Sequence, residues 1–74
     1  MSGKYIVVFK DHASQDQIND YVNQVTNNGG EVTQHYDTVL KGFAAEMPDH
    51  LLTSFQASDI IEYVEPDSIV TTQQ

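Results

Sequence analysis

The chain predicts an α+β, ferredoxin-like domain, β-α-β-β-α-β, with a four-stranded antiparallel sheet and two helices on one face. Three observations lead there. Tyr5-Ile6-Val7-Val8-Phe9 and Ile60-Ile61-Glu62-Tyr63-Val64 are rich in β-branched and aromatic residues and bracket the chain. Two stretches with helical spacing and recognisable start signals lie between strand-like segments. The resulting order is that of the split βαβ motif. Each half then makes a right-handed crossover, and both helices fall on one side of the sheet. In such a fold the first and third strands are central.

Tyr5 to Phe9 is a continuous apolar run that reads as a central strand covered on both faces, one by the helices and the other, turned outward, as an apolar docking surface. Lys10-Asp11-His12-Ala13 turns the chain. Ser14-Gln15-Asp16-Gln17 has the form of a capping box. Ile18, Tyr21, Val22 and Val25 then make one helical stripe, which Asn27-Asn28-Gly29-Gly30 ends. Glu31 to Tyr36 alternates and reads as a more exposed strand. Phe43-Ala44-Ala45-Glu46-Met47 reads as the third strand. Pro48-Asp49 opens a second helix with Leu51, Leu52 and Phe55 on its apolar face. Ser58-Asp59 breaks that helix, and the fourth strand is expected over 60–65.

With 74 residues the chain makes one small domain. A domain of this size buries only about 60 % of its unfolded surface, so its stability is marginal. It has no cysteine, hence no disulfide and no thiolate metal site. Neither a membrane-spanning apolar run nor a basic-then-apolar leader is evident, and the expectation is a cytoplasmic protein. Three lysines, no arginine and 11 Asp plus Glu give a formal net charge of −8. That charge repels nucleic acid and acidic membranes. It either keeps a small protein soluble or steers it toward a positive partner.

Catalytic chemistry finds little support. His12, His35 and His50 lie in no nucleophile motif, and their wide spacing is not that of a zinc site. A metal-carrying version of the fold needs a Cys-x-x-Cys pair. An RNA-binding version needs basic residues around stacking aromatics. A phosphate-cleaving version wants an arginine. The expectation is no enzyme, no metal and no cofactor.

The C-terminal segment is more informative. Ser68-Ile69-Val70-Thr71-Thr72-Gln73-Gln74 has β-branched residues at four of its positions and neither glycine nor charge. It favours extended backbone without a partner strand of its own, and suits a groove in another protein. The chain thus divides into a domain over 1–66 and an extended tail over 67–74. Glu65 and Asp67 are two apart in an extended stretch, so both project to one side. Such a pair suits the positive ends of partner helices, at about 0.3–1 kcal/mol each. The alternative is a solvated acidic turn punctuated by Pro66.

Taken together, Lys4-Tyr5-Ile6-Val7-Val8-Phe9-Lys10, Gly29-Gly30, Lys41-Gly42-Phe43-Ala44-Ala45 and Tyr63-Val64-Glu65-Pro66-Asp67 resemble the subtilisin-propeptide inhibitor family. The likeness is nearest to its free-standing fungal members, the proteinase A and proteinase B inhibitors, and runs from Lys4 to the C-terminus. It implies an inhibitor of subtilisin-like serine proteases, monomeric when free. If the target is a vacuolar enzyme, the two meet at the vacuole. The open sheet face would dock on two protease helices that Glu65 and Asp67 cap, and the tail would enter the cleft like a cleavage product. The resemblance puts Gln73 in the primary specificity pocket and Val70 in an apolar pocket further up. Gln74 runs one residue beyond that pattern, which leaves three alternatives: the protease trims it, it projects past the catalytic serine, or the register shifts to place Thr71 in the apolar pocket. Pro66 departs from the pattern by removing a backbone donor between the two acids. By parity, Tyr63 and Ile61 join Glu65 on the docking face. Two other readings remain: a propeptide-type folding chaperone, and a non-inhibitory interaction module that uses the same face.

Overall fold

A computed structural model describes residues 2–37 and 40–67. The elements follow the expected order: β1 (Ser2–Phe9), α1 (Gln15–Asn27), β2 (Glu31–Tyr36), β3 (Lys41–Pro48), α2 (Asp49–Gln56) and β4 (Ile61–Pro66). The sheet runs β2-β3-β1-β4, with every neighbouring pair antiparallel. β1 and β3 are therefore central, as the ferredoxin-like reading requires.

Local chemistry explains the helices. The Ser14 hydroxyl accepts from the Gln17 N–H at 3.1 Å, and Gln17 Oε1 accepts from the Ser14 N–H at 2.8 Å, closing the capping box. α2 starts without a side-chain cap; Pro48 supplies an extended φ of −71° and Asp49 puts a negative charge in the first turn. At the far end of α1, Gly29 turns at φ 86°, where a side chain would be strained.

One side of the sheet carries the core. Val7 and Phe9 of β1, Phe43, Ala45 and Met47 of β3, and Ile61 of β4 pack with Ile18 and Val25 of α1 and Leu51 and Phe55 of α2. Val7, Val25, Phe43, Met47 and Phe55 are fully enclosed. Aromatic edges organise this layer. Tyr21 meets Phe55 with ring centres 4.9 Å apart and Phe9 at 5.5 Å, and its hydroxyl donates to Ser58 Oγ at 2.7 Å. Tyr21 thus joins α1 to the turn that launches β4.

Strand boundaries differ from their sequence-based positions. β1 begins at Ser2 and β3 at Lys41, because the two strands pair over eight residues, Ser2 opposite Pro48 through Phe9 opposite Lys41. β4 starts at Ile61 rather than Ile60, whose carbonyl accepts from the Lys10 N–H outside the ladder.

A larger departure concerns Ile61. β1 pairs with β4 as Val8 opposite Tyr63, then Phe9 opposite Ile61, so Glu62 is an extra residue on β4. A β-bulge of this kind reverses alternation across itself. Ile61 is consequently buried, 5 % exposed, under the helices, whereas Tyr63 is 44 % exposed on the other face. The expectation that Ile61 shares a face with Tyr63 and Glu65 is corrected by this bulge.

Candidate functional site

The face turned away from the helices is a surface of three cross-strand rows. Register places Tyr36, Gly42, Val8 and Tyr63 side by side across β2, β3, β1 and β4. The next row is Gln34, Ala44, Ile6 and Glu65. In the third, Glu31 lies opposite Glu46 and Glu46 opposite Lys4, whose carbonyl accepts from the Asp67 N–H at 2.9 Å. An apolar strip thus fills the middle of the face. A tyrosine borders it on each outer strand, and carboxylates gather toward the opposite end.

The strip is shallow by construction. Val8 and Ala44 are 6 % and 3 % exposed although they lie outside the helix-side core cluster. Gly42 places no side chain between Tyr36 and Val8. It must be glycine, because a Cβ there would collide with the Val7 carbonyl oxygen on the adjacent backbone. Tyr63 is the one large apolar side chain among the described residues that is strongly exposed. Tyr63 thus stands as an aromatic ring with a polar tip beside the apolar strip, outside the core.

Glu65 is exposed on β4 opposite Ile6, at the edge of the strip. Asp67 is half-buried one step past the strand. Its N–H points at β1, so the alternation of an antiparallel ladder turns the nitrogen of Pro66 to the outer edge. Within the isolated sheet, Pro66 therefore costs no ladder hydrogen bond.

The predicted site residues thus separate into three groups. Tyr63 and Glu65 lie on the open face, and Asp67 follows at its margin. Ile61 lies beneath the helices. Ser68, Ile69, Val70, Thr71, Thr72, Gln73 and Gln74 lie outside the described residues. Sequence reasoning expected the outward face of β1 to be apolar and open to docking without naming Ile6 and Val8, and it missed Tyr36 and Ala44. The apolar alternation of Ile6 and Val8 within β1 was the available signal, since a strand with helices on one side only has no other use for it.

Other candidates carry less. His12, His35 and His50 are exposed in three separate places, and among the described residues no three His, Cys, Asp or Glu side chains form a group able to hold a metal ion. A cavity of about 300 Å³ lies between the start of α1 and the β2–β3 end, lined by Ser14, His35, Asp37 and Lys41 among others. Its cation is already engaged, as Lys41 Nζ donates to the carbonyls of Asp11 at 2.7 Å and Ala13 at 3.0 Å. No described helix is long and apolar enough to cross a membrane.

The family described as peptidase inhibitor I9 matches residues 4–73. The chain is 43 % identical over 75 residues to serine proteinase inhibitor IA-1 of Pleurotus ostreatus, covering 97 % of this chain and 99 % of that protein. Serine proteinase inhibitor IA-2 of the same fungus matches to the same extent. An uncharacterized protein of Schizosaccharomyces pombe is 29 % identical over 70 residues, covering 95 % of this chain and 91 % of its own.

Proposed function

Because this chain belongs to the peptidase inhibitor I9 family, and is a protease inhibitor rather than an enzyme, we propose that its target is a subtilisin-like serine protease. It binds through the open sheet face and lays residues 68–74 in the active-site cleft. The observation that carries this reading is the position of Glu65 and Asp67. They follow one another at the margin of the open face, where β4 hands the chain to the tail. Carboxylates there are suited to the exposed N–H groups at helix N-termini on a partner. Seven extended residues beyond Asp67 reach about 23 Å, enough to run along a cleft.

In this mechanism the scaffold and the tail divide the work. The sheet face supplies apolar area and fixes orientation, with Tyr63 as its exposed anchor. Complexes of this class bury about 1,600 Å² in total. The tail pairs with the strands of the cleft, so main-chain hydrogen bonds give affinity whatever its side chains. Val70 enters an apolar pocket and Gln73 the primary one, with Gln74 beyond. No bond is made or broken, and occupancy alone blocks the substrate. The packed helix side keeps the scaffold folded before contact, so ordering costs little at binding.

The test is titration of a purified subtilisin with the intact chain and with a chain lacking Val70 to Gln74. The truncated chain should inhibit weaker by orders of magnitude and show the same circular dichroism. Equal inhibition by the two would remove the tail from the mechanism.

A further inference from the structure

Just past the last turn of α1, at its C-cap, lies an Asn-Gly pair, Asn28-Gly29, on the surface. Asparagine before glycine is a chemically vulnerable pairing, because the glycine nitrogen meets no side chain of its own as it approaches the asparagine side-chain carbon. Attack of that nitrogen on Cγ forms a C–N bond, expels ammonia and leaves a five-membered imide. Water then adds at one imide carbonyl or the other, giving aspartate or isoaspartate. The reaction requires no enzyme and no oxidant, only water and a backbone free to close the ring.

In this fold the backbone is not free. Asn28 closes the helix with φ −102° and ψ 17°. The Gly29 N–H donates to the Thr26 carbonyl at 3.1 Å and the Gly30 N–H to the Val25 carbonyl at 2.8 Å. The target amide is held as well. Its Nδ2 donates to the Gln24 carbonyl at 2.8 Å, and its Oδ1 lies 3.2 Å from Nε2 of His50 in the first turn of α2. The turn is also pinned from beneath, since a Cβ on Gly30 would collide with the Glu46 carbonyl and with buried Val25. Ring closure must therefore break the bond that holds the nucleophile and the bond that holds the amide nitrogen.

We propose that Asn28-Gly29 is a latent deamidation site, closed while the last turn of α1 is formed and opened with it. The product does not restore the cap. An aspartate at position 28 exchanges the amide donor for a second acceptor facing the Gln24 carbonyl, and adds charge at the negative end of the helix. An isoaspartate lengthens the backbone by one carbon and removes the register that the Gly29 and Gly30 bonds need. Each opening thus makes the next more frequent. The site lies at the end of α1, on the helix-bearing side of the sheet, so the docking surface is left intact. Resting on the inhibitor reading above, the consequence is an inhibitor that ages by losing its resistance to digestion rather than its fit to the protease.

The test needs no inhibition assay. The intact chain is held at mildly alkaline pH, either native or unfolded in guanidinium chloride, and amide-to-acid exchange at Asn28 is followed by peptide mass spectrometry. Native exchange should be slower by more than about tenfold, as expected of an amide reached only through local opening. Equal rates in the two conditions would overturn the proposal. Separately, Asn28→Asp, folded by circular dichroism, should be cut several-fold faster than the parent by a metalloprotease outside the serine class. Digestion at the parent's rate would refute the claimed consequence. Absence of any subtilisin inhibition would defeat the functional reading and leave both of these measurements standing.

Discussion

The helix-bearing face and the open face of this sheet use the same four strands and are finished in opposite ways. Between the helix-bearing face and the helices, Phe9, Phe43 and Met47 of the sheet pack with Phe55 of α2, and Phe43, Met47 and Phe55 are fully enclosed. Across the sheet stand Gly42, Ala44, Val8 and Ile6, with tyrosines and carboxylates around them. The first face gains stability by filling volume, since close packing is what makes buried side chains contribute. The second is low and chemically plain, as the proposed docking of a protease on it requires. A chain this short holds little stability in reserve, and it concentrates what it has on one side.

That contrast can be broken by substitution. The largest stability effect should come from Phe43→Ala, which empties the centre of the enclosed layer. A loss of about 3–5 kcal/mol is expected, read as a fall in the denaturation midpoint. A loss under about 1 kcal/mol would mean that the helix side is not the principal core. Tyr63→Ala should behave in the reverse way. Its stability should change by no more than about 0.5 kcal/mol, while inhibition weakens by about 2 kcal/mol if the ring is a contact anchor. A large drop in melting temperature with unaltered inhibition would reverse the roles given to the two faces.

Smaller effects sharpen the division. Ser14→Ala removes the cap from α1 and should cost about 1 kcal/mol, or a melting shift of roughly 4–8 °C in a domain of this size. Inhibition measured well below the transition should not change, because the cap sits on the helix side. Glu65→Gln should weaken inhibition by about 0.3–1 kcal/mol at low salt, and by less as salt rises. A salt-independent effect would show that Glu65 acts by shape and not by charge.

How much of this was legible in the sequence depended on the range of the forces involved. The capping box at Ser14 and Gln17 was readable because it joins residues three apart on one chain segment. The stripe of Ile18, Tyr21, Val22 and Val25 was readable for the same reason, as helical periodicity is a local property. The placement of β1 at the centre followed from its apolar residues on both faces. Ile61 was misplaced because parity counting assumes an unbroken ladder. The extra residue at Glu62 appears only when β4 is laid against β1, and nothing within Ile61-Glu62-Tyr63 announces it.

The identity of each element, the acidic pair and the resemblance to an inhibitor family came from the sequence alone, because propensity, spacing and charge are carried by neighbouring residues. Tertiary structure decided which residues share a face. It placed Tyr36, Gly42, Val8 and Tyr63 in one row, although they come from four strands scattered along the chain. It also turned the nitrogen of Pro66 outward and bound the amide of Asn28 to the end of its helix. Register is set by pairing between distant segments, and the energy that selects it is that of the whole packed sheet.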